Sequence, residues 1–156
     1  MVTVDQVKSY LLQIKQMRIR LEKAREEIQL LRQSDPVKAI SYQYTGGKAR
    51  RRRSATEKMV VDLVALEEAF YSLYDRYIDT RHEIIGQIDE LFNVVADEDL
   101  PGLLFYRYAI ILPFQEISEK LGDKCINYIY NKHKPALEAF GELHENTILE
   151  WLSEHE

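Results

Sequence analysis

Lys124, Asn127, Tyr128 and Asn131 recur at spacings that put them along one side of a helix, and Lys132, His133 and Lys134 follow. No acid interrupts residues 124–134, although the rest of this half of the chain is rich in them. A carboxamide such as Asn127 or Asn131 can donate to and accept from one base edge at once, the pairing that reads adenine, while an ammonium meets phosphate or guanine. Lys124, Asn127, Tyr128 and Asn131 are therefore candidate readers of double-stranded DNA, with Lys132 and Lys134 as candidate backbone contacts. A second basic run, Arg50, Arg51, Arg52 and Arg53, offers phosphate contact of the salt-sensitive kind. Its alternative readings are a solvated linker and a partner for the acidic C-terminal tail.

Enzyme chemistry finds no support. The stretch Thr45-Gly46-Gly47-Lys48-Ala49 lacks the earlier glycine of a phosphate loop, and Ala49 has no hydroxyl for magnesium. His144-Glu145 has Ile148, not a second histidine, at the zinc-protease spacing. His82, His133, His144 and His155 are scattered, and the single Cys125 makes neither a zinc cluster nor an internal disulfide. The residues predict no catalytic site, no metal and no cofactor.

Charge is divided unevenly. The net charge is −5, but residues 1–55 hold 13 basic against 5 acidic groups and residues 56–156 hold 8 against 21. Binding to phosphates follows local potential, so an acidic total permits a basic contact face. The longest apolar run, residues 108–112, is far shorter than the roughly 18 residues of a membrane span, and the N-terminus lacks a signal-peptide pattern. A cytoplasmic protein with no membrane partner is expected.

The elements that must carry these groups are helical, because only 6 Gly and 4 Pro punctuate 156 residues. Val7, Ile14, Leu21 and Ile28 recur every seven residues, with Tyr10, Met17, Ala24 and Leu31 interleaved. This heptad predicts one helix in region 1–34, its seam closed either by the same chain or by a second subunit. Asp35-Pro36 ends it, and residues 35–55 form a basic linker. Residues 56–96 carry the stripe Leu63, Leu66, Phe70, Leu73, Tyr77, Ile84, Ile88, Leu91 and Val95 and predict a second long helix, capped by Ser54 or Thr56. In region 97–140, Ile117 and Leu121 on a short helix, a turn at Gly122-Asp123, and anchors at Ile126, Ile129 and Tyr130 outline a helix-turn-helix. Region 141–156 reads as an acidic terminal helix.

Three stretches carry a resemblance. Gly102-Leu103-Leu104-Phe105-Tyr106-Arg107-Tyr108, Phe114-Gln115-Glu116-Ile117-Ser118 and Tyr130-Asn131-Lys132-His133-Lys134-Pro135-Ala136-Leu137 resemble the C-terminal end of ArpU-like, phage-encoded transcriptional regulators. The tail of that group is similar to the −35-reading region of sigma factors. Glu57-Lys58-Met59 and Leu66-Glu67-Glu68 also look like that group. The resemblance implies an all-α DNA-binding protein of phage or prophage transcription. Ser118 stands where that pattern has Ala, and Pro135 falls inside the expected recognition helix, where it removes an N–H donor. The resulting expectation is a long antiparallel, coiled-coil-like hairpin followed by a C-terminal helix-turn-helix. Its partners would be double-stranded DNA, RNA polymerase and a second copy held through the long helices. The competing reading is a coiled-coil interaction or assembly protein that binds no nucleic acid.

Overall fold

The computed structural model describes residues 1–33 and 48–155, the side chains of residues 48–56 excepted. The protein is all-α: every regular element among the described residues is helical. The stop expected at Asp35-Pro36, most of the expected linker, and the side chains of Arg50, Arg51, Arg52 and Arg53 lie outside the described residues. The second long helix starts at Lys48, so Ser54 and Thr56 lie inside it and do not cap it as expected.

Helix α1 (Val4–Leu11) opens on a capping box, in which Thr3 Oγ1 accepts from the Gln6 N–H and Gln6 Oε1 accepts from the Thr3 N–H. Helix α2 (Gln13–Gln33) follows after Leu12 alone. One uninterrupted helix was expected here. The hitch arises where the Gln13 side-chain amide donates to the Tyr10 carbonyl at 2.8 Å, a local bond that competes with the backbone ladder. The ladder otherwise bridges the hitch, through Leu12 N–H to Lys8 O and Gln16 N–H to Leu12 O. Helix α3 covers Lys48–Phe92 and so takes in the last part of the stretch expected as a linker. Then come α4 (Asp99–Leu104), a π turn (Phe105–Ala109), α5 (Phe114–Lys120), α6 (Ile126–Leu143) and α7 (Glu145–Glu154).

Contacts group the described chain into two units, one of Met1–Gln16 with Ile78–Glu156, the other of Met17–Tyr77. The first unit buries Val7, Tyr10, Leu11 and Ile14 with Ile84, Ile88 and Leu91 of α3, Leu137 and Phe140 of α6, and Ile148 of α7. Polar groups inside it are paired. Tyr10 donates to Gln87 Oε1 at 2.8 Å, and His144 Nε2 lies 2.9 Å from the Gln87 carbonyl. Gly141 lets α1 come close: a Cβ there would lie 2.7 Å from Cγ2 of Val7. In the second unit Leu21 and Ile28 are buried, Leu63, Leu66, Phe70 and Leu73 are half-buried, and Arg32 Nη2 reaches Glu67 Oε1 at 2.6 Å. The heptad seam of the opening helices is thus closed within its own chain.

Candidate nucleic-acid interface

The candidate readers Asn127, Tyr128 and Asn131 stand on α6, Lys124 lies just ahead of it, and three short structures hold that helix. Asp97 Oδ1 accepts from the Asp99 N–H and steadies the start of α4, whose first turn includes the buried Pro101. The π turn widens the next winding, with the Ile110 N–H bonding to Phe105 O. It closes when the Leu112 N–H reaches back to Tyr106 O across Ile111, whose φ is 67°. A β-branched residue is uncommon in that left-handed region, so the surrounding contacts hold it there. Among them, Arg107 donates to Leu112 O at 3.1 Å and lies 4.3 Å over the Phe114 ring.

Helix α5 is turned onto α6 by the pair Gly122 (φ 92°) and Asp123 (φ 55°), and the Lys124 N–H returns to Ser118 O at 3.0 Å. Glycine at 122 supplies the positive φ without steric cost. Ser118 is buried, and its hydroxyl donates to Gln115 O at 2.7 Å, so a polar group fits at this crossing. Leu103, Ile117 and Ile129 form a core with no solvent exposure, wrapped by Tyr106, Leu112, Phe114, Leu121 and Tyr128. Of the anchors expected beneath the helix, Ile129 is fully buried and Ile126 is half-buried.

The structure divides the candidate residues. Lys124, Asn127, Asn131 and Lys134 are exposed, and 127, 131 and 134 share one face of α6. Lys134 is 4.0 Å from Glu138, which is exposed as well. Tyr128, expected on the outer face, instead packs against the core, and its hydroxyl donates to Asp99 Oδ2 at 2.7 Å. Lys132 Nζ bonds to Asp97 Oδ2 at 2.7 Å and lies 5.3 Å over the Tyr128 ring. The Lys132 bond holds the Asp97 carboxyl below the usual range, and the same bond raises Lys132. Tyr128 is raised by its bond to Asp99. These partners lie 29 and 35 residues upstream, where no local pattern signals them.

Tyr130 is the converse case. Expected beneath the helix, it is 53% exposed, with its ring 4.7 Å from Phe114, and adds an aromatic face beside Asn127 and Asn131. Pro135 does not end α6, which runs on to Leu143. Its missing N–H leaves the Asn131 carbonyl without the usual helical donor. Behind the helix, His133 Nε2 and the Tyr108 hydroxyl are 2.7 Å apart. Burial, then Lys8 and Arg107, pushes His133 down to about 4, and burial pushes Tyr108 up to about 12. The imidazole is therefore neutral at physiological pH and adds no charge to the face.

No family model, curated protein or solved structure matches the chain. The face of α6 must be read from its own chemistry. It offers one ammonium group, two carboxamides and a tyrosine, all exposed, on a helix braced by a closed apolar core, and Lys124 adds a second ammonium just ahead of it. Exposed Glu116 and Glu119 on α5 and Asp123 in the turn add acids, so the acid-free surface is confined to Lys124 and the part of α6 before Glu138. Among the described residues no helix is long and apolar enough to cross a membrane.

Proposed function

We propose that this chain is a phage- or prophage-type transcription regulator that binds duplex DNA by laying the first half of α6 in the major groove. The observation that carries the reading is the exposure of Asn127, Asn131 and Lys134 on the helix that the Leu103–Ile117–Ile129 core and the Gly122-Asp123 turn hold in place, with exposed Lys124 just ahead of it. Asn127 and Asn131 would read base edges, Lys124 and Lys134 would meet phosphates or guanine, and Tyr130 would contact sugar or base faces. Tyr128 and Lys132 would act as braces, since Asp99 and Asp97 engage them. The basic run of Arg50, Arg51, Arg52 and Arg53 would add phosphate contacts. The resemblance of residues 102–137 to the ArpU-like group supports the same reading, and RNA polymerase is the protein partner it implies.

The test is a fluorescence-anisotropy titration of the full chain with random and phage-promoter duplexes over a salt series. Binding should weaken as salt rises and favour one duplex, and Lys124→Glu with Lys134→Glu should abolish the preference. Absence of binding at low salt would sink the reading. A helical assembly protein is then the reading left standing, favoured by the exposed apolar side chains Val60, Val64, Tyr71 and Tyr74 on α3.

A further inference from the structure

Within the unit Met17–Tyr77, α3 carries a second heptad seam. Its inward seam is Leu63, Leu66, Phe70 and Leu73. One residue beyond each stand Val64, Glu67, Tyr71 and Tyr74, preceded by Val60, a 4-3-4-3 spacing rotated about 100° around the helix. Val64 is 48% and Tyr71 60% exposed, and Val60, Val61 and Tyr74 are exposed as well. Glu67, the one charge on this line, is neutralised by Arg32 of its own chain.

The two margins of the seam carry opposite charge. On one side, Arg25 and Arg32 of α2 border the same depression as Tyr71 and Glu67. On the other, Glu68 and Asp75 are exposed further round α3. The depression runs back along α2 from Arg32 to Arg25 while it runs forward along α3 from Glu67 to Tyr71, so the helices run in opposite senses there. Arg32 is therefore level with Glu68. Arg25, two turns back, is level with Asp75, two turns on.

We infer that this seam is the interface for a second copy of the chain, its α3 parallel to the first about a two-fold axis along the helix. That rotation exchanges the margins and keeps the levels, so each Glu68 meets the second copy's Arg32 and each Asp75 meets its Arg25. Val60, Val64, Tyr71 and Tyr74 then pair with themselves across the axis. The antiparallel arrangement sets acid against acid and arginine against arginine, which costs stability. A partner other than a second copy would have to supply both charged margins, whereas the chain already supplies them. The inference stands apart from the DNA reading, and its test uses no DNA.

The experiment is sedimentation equilibrium of the full chain across the micromolar range. A mass of twice 18.4 kDa is expected, falling to the single chain in Val64→Asp/Tyr71→Asp with unchanged helical circular dichroism, both side chains being exposed. Asp75→Arg alone should weaken the dimer by roughly 3- to 10-fold, two symmetric pairs being lost, and adding Arg25→Asp should restore it. In Cys125→Ser/Val64→Cys, mild oxidation should link two copies through residue 64. A single-chain mass throughout overturns the inference, as does a dimer that survives Val64→Asp/Tyr71→Asp. Failure of the residue-64 link in a protein that still dimerises overturns the parallel arrangement.

Discussion

The hydroxyl of Tyr128 stands 2.7 Å from Oδ2 of Asp99 and ties the exposed helix α6 to the first turn of α4. One turn further on, Lys132 repeats the tie to Asp97. Both bonds cross between elements far apart in sequence, so they position α6 and are not free to meet a ligand at no cost.

Lysines on and beside α6 should therefore differ in what their removal does. Lys124→Ala is expected to weaken DNA binding and to reduce the salt slope by about 1, the loss of one phosphate contact. Lys132→Ala is expected to lower the thermal midpoint and to change the salt slope less, because its ammonium is engaged by Asp97. Anisotropy titrations paired with thermal melts check this. Equal slopes for the two variants would show that Lys132 leaves Asp97 to bind DNA.

His133 should make stability depend on pH. Its folded value of about 4 lies below the ordinary 6.5, so the unfolded chain binds the proton first as pH falls. The stability it contributes is complete above pH 6.5, is lost as pH drops toward about 4, and changes no further below that. Asp97, whose carboxyl is lowered, adds its own loss only below its ordinary value of 3.8. Urea unfolding between these limits should show the slope in the parent chain and a flatter profile in His133→Gln. An identical slope in both would assign it to another group.

The turn and the core beneath α6 can be tested by stability alone. Gly122→Ala places a Cβ at φ 92° and should cost about 1–2 kcal/mol. Ile129→Ala removes a fully buried side chain from the Leu103–Ile117–Ile129 core and should cost about 2–5 kcal/mol. Denaturant titrations give both figures. A neutral Gly122→Ala would mean that the turn relaxes to another conformation.

Close approach of α1 to α6 rests on Gly141. Its Ala variant puts Cβ 2.7 Å from Cγ2 of Val7, a stiff β-branched side chain, and should destabilise by about 1–3 kcal/mol. Val7→Ala should cost stability alone yet recover part of the loss when combined with Gly141→Ala. Strict additivity in a double-mutant cycle would show that the two residues do not meet.

Much of the helical framework was legible. Val7, Ile14, Leu21 and Ile28 all proved buried, and the stripe from Leu63 to Leu91 faces inward or is half-covered. A heptad reports which side of a helix is apolar, and apolar sides are covered whatever covers them. Gly122 was legible for a similar reason, since few residues accept its φ. The hitch at Leu12, the π turn and the left-handed Ile111 were not, because each depends on one side-chain bond or on packing that holds an unfavourable backbone.

The candidate site divides along the same line. Residue type and spacing alone put Asn127, Asn131 and Lys134 on one side of a helix, within the acid-free stretch 124–134, because helical geometry makes neighbours of residues three and four apart. Only the tertiary structure decided that Lys132 and Tyr128 belong to Asp97 and Asp99, and that Tyr130 faces outward. The same holds for the second apolar seam of α3, which stays uncovered when the first one closes. Periodicity is a property of neighbouring residues and is written in the chain. Pairing between distant charges, and which of two apolar faces is buried, depend on how the helices dock.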